Sequence, residues 1–481
     1  MLLLHGGTIR TLDAARPAAA ALLLDGDRIA AVLDDPADAP RGAERFDLAG
    51  GCALPAFTDA HVHFPSWALS RRELALLGAQ SLAAAVARVA AAAPAGGWIR
   101  GRGWRDELWP DGERPHRSAL DAVARDVPVA LRAHDSHSLW LNSAALARAG
   151  GDLETPGGVV ERDPDGEPTG IVREEAAWRF EARFAPGRAE ALDAMRAAMP
   201  AVAAAGVVAV HDKDGGKGAP ELFAAAQLPL RVWQSVPADA ASFEGGDYVK
   251  AFMDGTLGSR TARLLDGTGV QITSAEALEG LIRRAAEHGL PLAVHAIGDR
   301  ANRDALDAFA ATREAWRGLR PRIEHAQCVH PDDVPRFAEL GVAASVQFTH
   351  ATSDRDVAER LWADRIDHAY PYRSLLDAGA VVAGGSDAPI EPLDPLAGLR
   401  AAVLRTLDER PAWRPEQALP LDAALAAFTT APAWLEGAED RRGRLAPGLA
   451  ADVTVLDRDP AADLPGARVA ATMLAGEWLA P

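Results

Sequence analysis

At 481 residues the chain exceeds one ordinary core, and its 48% hydrophobic and 25% charged content excludes a disordered polypeptide. A formal charge of −18 excludes the basic face that nucleic acid requires, while naming no substrate. Two cysteines, Cys52 and Cys328, give no disulfide framework, the N-terminus lacks a basic n-region, and no apolar run approaches a membrane span, so residence in the cytoplasm is expected.

The first segment alternates short β patterns with Gly and Asp turns over 2–5, 20–32 and 46–48. An apolar strand then ends in Leu54-Pro-Ala-Phe-Thr-Asp-Ala-His-Val-His63. From 64 to about 200 the pattern changes: a helix is predicted over 82–93, short β runs over 98–104 and 127–132, and a Gly/Pro/Asp-rich stretch over 155–170. Beyond 200, strands at 205–211, 230–236, 248–253, 290–295, 322–325, 342–348 and 381–386 alternate with helices such as 274–288 and 300–316. With the strand before His61 these make eight, the number that closes a (β/α)₈ barrel. The end of the chain returns to short β runs, at 452–457 and 470–478. The expected fold is therefore α/β: a (β/α)₈ TIM barrel over 54–436, an insertion over about 64–200 after the first barrel strand, and a small β-sandwich from 1–53 and 437–481. The insertion's place in the chain puts it over the barrel mouth, where it would supply substrate contacts.

Chemistry-bearing residues gather at the strand ends. His61 and His63 are two apart on a strand and point to one face, so both imidazoles can reach one metal ion. His295, His325 and Asp387 close later apolar runs, and Lys250 lies inside another. In such a barrel, side chains from the C-terminal ends of different strands converge on one mouth. Lysine occurs only at 213, 217 and 250, the other basic side chains being arginine. A lysine retained in an apolar strand points to amine chemistry, since a buried lysine can be neutralised and arginine cannot. A neutral amine can add carbon dioxide, and the resulting carbamate could bridge two metals.

The order HxH, Lys, His, His, Asp resembles the metal-dependent amidohydrolase superfamily. Longer strings narrow the resemblance to its YtcJ-like branch, amidohydrolase family 3, which includes N-substituted formamide deformylases. They are Pro55-Ala-Phe-Thr-Asp-Ala-His-Val-His63, Asp135-Ser-His137-Ser-Leu-Trp-Leu-Asn142-Ser-Ala-Ala-Leu146, Pro168-Thr-Gly-Ile-Val-Arg-Glu174, Val249-Lys250-Ala-Phe-Met-Asp-Gly-Thr-Leu-Gly-Ser259, His295-Ala-Ile-Gly-Asp299, Ile323-Glu-His325-Ala-Gln, Gly385-Ser-Asp387-Ala-Pro and Gly448-Leu-Ala-Ala-Asp452-Val-Thr-Val455. Two positions depart from the branch: Ala56 stands where it usually has glycine, and Phe348 replaces the proline usual before His350.

The resemblance implies that His61, His63 and Asp387 hold one divalent ion, His295 and His325 a second, and carboxylated Lys250 bridges them. Neutral imidazoles and carboxylate oxygens suit zinc, in one or two copies, which brings the pKa of bound water towards ~7. Asp387 would be the catalytic residue, moving a proton from water to the departing nitrogen. His137, Trp104, Glu174 and His350 are the candidates for substrate binding. The expected reaction is cleavage of a non-peptide C–N bond, amide, N-formyl or N-acyl, in a small molecule. Trp67, Trp98, Trp104, Trp109 and Trp140 in the insertion favour an apolar or aromatic substituent. The alternatives are a lactone or phosphoester hydrolase on the same metals, or a noncatalytic scaffold. The expected partner is the small-molecule substrate, with no nucleic acid or membrane and with a homo-oligomer left open.

Overall fold

The computed structural model describes residues 1–106, 109–110, 113–134, 136–150 and 153–480, so Asp135 of one motif lies outside the described residues. Apolar runs separated by helices cannot pair as hairpins and line up in parallel instead. They are β1 (Phe57–Val62), β2 (Val207–Asp212), β3 (Arg231–Pro237), β4 (Tyr248–Phe252), β5 (Leu292–Ala296), β6 (Arg322–His325), β7 (Ala343–Val346) and β8 (Val382–Gly384). All eight form one sheet in chain order. Just beyond β8, Ala388 bridges in parallel to Val62, so the last connection leads back to β1. The fold is the expected (β/α)₈ barrel. Strands such as β2 and β5 are buried along their whole length, which is why they read as nearly continuous apolar runs. The intervening helices begin where the sequence signals them: Ser274 accepts from the Ala277 N–H ahead of Ala275–Glu287, and Asp394 from that of Ala397 ahead of Pro395–Leu404.

The two ends of the chain build a pair of sheets. One runs Arg28–Leu33, Ala21–Asp25, Leu2–His5, Glu44–Asp47; the other runs Glu477–Ala480, Val469–Leu474, Val453–Leu456, Cys52–Pro55, Thr8–Arg10, Ala18–Ala19. Leu4, Leu22 and Ile29 of the first meet Ile9, Ala53, Val453 and Met473 of the second in one buried cluster. The boundary expected after residue 53 falls inside Cys52–Pro55. That strand pairs antiparallel with Val453–Leu456 through Pro55, so the terminal sheets keep two residues more. No helix among the described residues is long and apolar enough to cross a membrane.

Ser66–Ala194 forms a compact unit of its own. Its sheet runs Gly158–Arg162, Pro168–Glu174, Ser138–Leu141, Val129–Ala133, Ile99–Trp104, Leu74–Ala75. The Gly/Pro/Asp-rich stretch over 155–170 is mostly a hairpin. Its turn is closed by the Asp163 N–H to the Glu167 carbonyl, and the two arms pair antiparallel. The tryptophans also need correction. Trp67, Trp98, Trp104, Trp109 and Trp140 are all 6% exposed or less. Trp104, Trp109 and Trp140 pack ring against ring at 6.1–6.4 Å, and the Trp104 indole donates to the Leu131 carbonyl. Burying these large rings is what stabilises so small a unit. Trp104 is thus a core residue, and these rings offer a substrate no apolar wall.

Candidate metal centre

His61 is the penultimate residue of β1 and His63 stands just past its end, and the strand alternation turns both rings the same way. Their Nε2 atoms converge on Asp387 Oδ1, at 3.2 and 3.5 Å. Each ring is held from behind by a carboxylate, His61 Nδ1 donating to Glu324 Oε2 and His63 Nδ1 to Asp214 Oδ1, both at 2.9 Å. A proton fixed on Nδ1 leaves the Nε2 lone pair free to ligate, the usual arrangement behind metal-bound histidine.

Asp387 has φ 58°, a left-handed conformation that costs a non-glycine residue energy and clusters at functional sites. A Cβ on Gly385, two residues earlier, would lie 2.4 Å from the His61 backbone N, so only glycine lets the loop approach β1 this closely. Asp59 Oδ1 accepts from the His61 and Ser386 N–H groups and ties the two together. Burial by itself would raise the Asp387 carboxyl, but His61, His63 and His325 hold it well below the usual carboxylate range. It is an anion at neutral pH.

His325 ends β6 with φ 74°, and its Nδ1 donates to Gln347 Oε1 at 2.8 Å. His295 stands beside it, ring centroids 4.5 Å apart. Among the described residues, two sets around Asp387 present ligand atoms within 4.8 Å of one another: His61, His63 and Asp387, and His325, His350 and Asp387. His295 enters neither set, because its Nε2 is turned to the Gly255 carbonyl at 3.1 Å. His350, read from the sequence as a substrate contact, instead stands beside Asp387, its Nε2 3.9 Å from Oδ2. The Gln327 amide donates to His350 Nδ1, so the ring proton sits on a buried Nε2 that has no hydrogen-bond partner. As placed, His350 is a donor aimed beside Asp387.

Lys250, in β4, is 5% exposed, and its Nζ makes no hydrogen bond. Burial brings its pKa down to about 8, against the pull of Glu324 and Asp387. An orphaned amine that is readily neutral fits the chemistry of a carbamate. The donor set as a whole, imidazoles, a carboxylate and this amine, fits a borderline divalent ion.

Glu324, Asp214 and Lys213 complete the site. Glu324 accepts from Lys213 Nζ at 2.8 Å and lies 2.8 Å from Arg322 Nε, and these cations hold its carboxyl well below the usual range despite burial. Lys213 Nζ also donates to the Tyr248 hydroxyl at 3.0 Å. Lys213 stands just past the C-terminal end of β2, the end of a barrel strand from which side chains reach the mouth. Glu324 is an orienting group, holding the His61 ring from behind. His211 is structural, its Nε2 meeting Glu436 at 2.7 Å and its Nδ1 accepting from Arg322 at 2.6 Å. In the separate Ser66–Ala194 unit, His137 Nδ1 donates to Glu174 Oε2 at 2.8 Å.

Glu324→Gln keeps the shape of the side chain and removes the charge behind His61. Metal retention should fall ~10–100-fold, measured by competition with a chromogenic chelator. Unchanged retention would reduce Glu324 to a counter-charge for Arg322 and Lys213.

The amidohydrolase family model matches residues 44–480. The chain is 32% identical over 455 residues to YtcJ of Bacillus subtilis (strain 168), spanning 87% of this chain and 86% of that one. It is 29% identical over 510 residues to the N-substituted formamide deformylase of Arthrobacter pascens, spanning 95% and 94%. Among solved structures, an uncharacterized metal-dependent hydrolase from Pyrococcus horikoshii OT3 superposes with TM-score 0.78 at 28% identity, covering 95% of this chain and 98% of that one.

Proposed function

The chain belongs to the amidohydrolase family, and from that premise we propose that it hydrolyses a non-peptide C–N bond, amide, N-formyl or N-acyl, in a small molecule. The observation that carries this reading is the ionised Asp387 carboxylate meeting two imidazoles whose far nitrogens are fixed by Glu324 and Asp214. A relative of known activity, the formamide deformylase of A. pascens, supports the bond type.

His61, His63 and Asp387 would hold a divalent ion, most simply zinc, with His325, His295 and carboxylated Lys250 available to a second. Bound there, such an ion polarises a carbonyl and acidifies water. The chain's own residues do the rest. Asp387 takes a proton from the attacking water and passes it to the departing nitrogen, which leaves as a neutral amine. His350 Nε2–H donates a hydrogen bond beside that carboxylate and orients the group under attack. Glu324 and Asp214 keep His61 and His63 in one tautomer throughout. The apolar surface that the tryptophans do not supply is available at Phe252, which is 42% exposed at the end of β4 with its ring centroid 5.1 Å from that of His295. A substrate with an apolar or aromatic substituent fits that surface.

The test is a panel of N-benzyl formamides, N-acyl amino acids, aryl lactones and aryl phosphotriesters given to metal-replete protein. Turnover should favour the amides. Preference for the lactones or phosphotriesters would replace the bond assignment, and inactivity across the panel with filled metal sites would point to a scaffold. Lys250→Arg tests the carbamate: it keeps the positive charge but cannot be carboxylated, so metal content per chain should fall by up to one ion with a parallel loss of turnover. Full metal content and normal rates would make Lys250 an ordinary buried amine.

A further inference from the structure

A second constellation of ligating side chains lies outside the candidate centre, on the connections that follow β5, β6 and β7. Asp299 follows His295 by four residues after β5, and Cys328 follows His325 by three after β6. His368 closes the 3₁₀ turn Ala363–His368 in the long connection after β7. A carboxylate oxygen, the thiol sulfur and a ring nitrogen of these residues lie within 4.8 Å of one another. Asp299 Oδ2 is 3.9 Å from His368 Nδ1. Around a tetrahedral zinc, with bonds of about 2.0–2.3 Å, donor atoms stand roughly 3.3–3.6 Å apart. The cluster is therefore within about an ångström of closing on one ion.

Its internal hydrogen bonding leaves that opening unfilled. Cys328 is fully buried and is a free thiol. His368 Nδ1 is buried and has no hydrogen-bond partner, where buried polar atoms are nearly always paired. Asp299 spends Oδ1 on the Leu265 N–H at 2.8 Å and turns Oδ2 towards His368. Arg365 stands at the rim, 3.5 Å from that oxygen, but its charge is matched more closely by Asp266 at 2.5 Å and Asp364 at 2.7 Å. One carboxylate and one thiolate remain to balance a dication. His330, whose ring centroid lies 5.0 Å from that of His368, is a further donor at the edge.

The geometry points to a second metal site formed by Asp299, Cys328 and His368, selective for a thiophilic divalent ion such as zinc. On binding, the Cys328 thiol releases one proton to solvent and the thiolate takes its place on the ion. The site clamps together the connections that follow β5, β6 and β7, so its occupancy would stabilise the mouth of the barrel without entering the reaction.

Sulfur makes the site separable by spectroscopy, because none of the residues of the candidate centre carries it. Full-length protein is stripped with a chelator and reloaded with cobalt(II), and the near-ultraviolet thiolate-to-cobalt charge-transfer band is recorded. The band is expected in the wild-type protein and in Cys52→Ser. It should vanish in Cys328→Ser and in His368→Ala, with zinc content lower by one ion per chain in both. Wild-type protein saturated with cobalt yet lacking the band overturns the proposal, whatever the variants do. So does a band that survives both His368→Ala and Asp299→Asn, since the thiol would then bind metal without the pocket.

Discussion

Asp387→Asn should lower kcat by at least ~10²-fold while leaving KM within a few-fold of its value. Asparagine keeps an oxygen in the same place but accepts no proton, so the variant separates the base from the ligand. The carboxylate suits the task because His61, His63 and His325 keep it ionised in a buried site, and because its two oxygens face different partners. Oδ1 meets His61 and His63, and Oδ2 is turned towards His350. Metal content should be measured on the same sample, since a fall in occupancy would explain the loss without invoking proton transfer. A variant with full occupancy and near-normal turnover would move the base elsewhere. His211 cannot supply it, because Glu436 and Arg322 occupy both of its nitrogens.

Removing the divalent ion should have the largest effect of all. Dialysis against a strong chelator should take turnover below detection, and zinc or manganese should restore it, because water without an ion is far too weak an acid to supply a nucleophile at neutral pH. His61→Ala and His63→Ala should lose activity that added metal does not rescue at ordinary concentrations, since each removes a nitrogen facing Asp387. Metal content by mass spectrometry must accompany the assay. Full turnover in protein verified to be metal-free would rule out the proposed chemistry for this chain.

Much of this protein was legible in its residues because the signals are local. The alternation of apolar runs and helices determined the eight barrel strands, and the histidine pair, Lys250, His325 and Asp387 announced themselves by standing in or at the ends of those runs. The short β runs at the two ends likewise announced the terminal sheets. What the tertiary structure alone decided is which atom each side chain meets. Glu324 reaches His61 across 263 residues and Asp214 reaches His63 across 151. Lys213 reaches Glu324 across 111. Such pairings depend on strand register and loop path, which residue type and spacing do not encode, so the carboxylates behind the histidines and the second buried lysine went unassigned. The tryptophans show the converse limit. Their size marked them as important, but a large amphipathic ring serves a core or a pocket equally well, and only the packing of Trp104, Trp109 and Trp140 on one another placed them in the core.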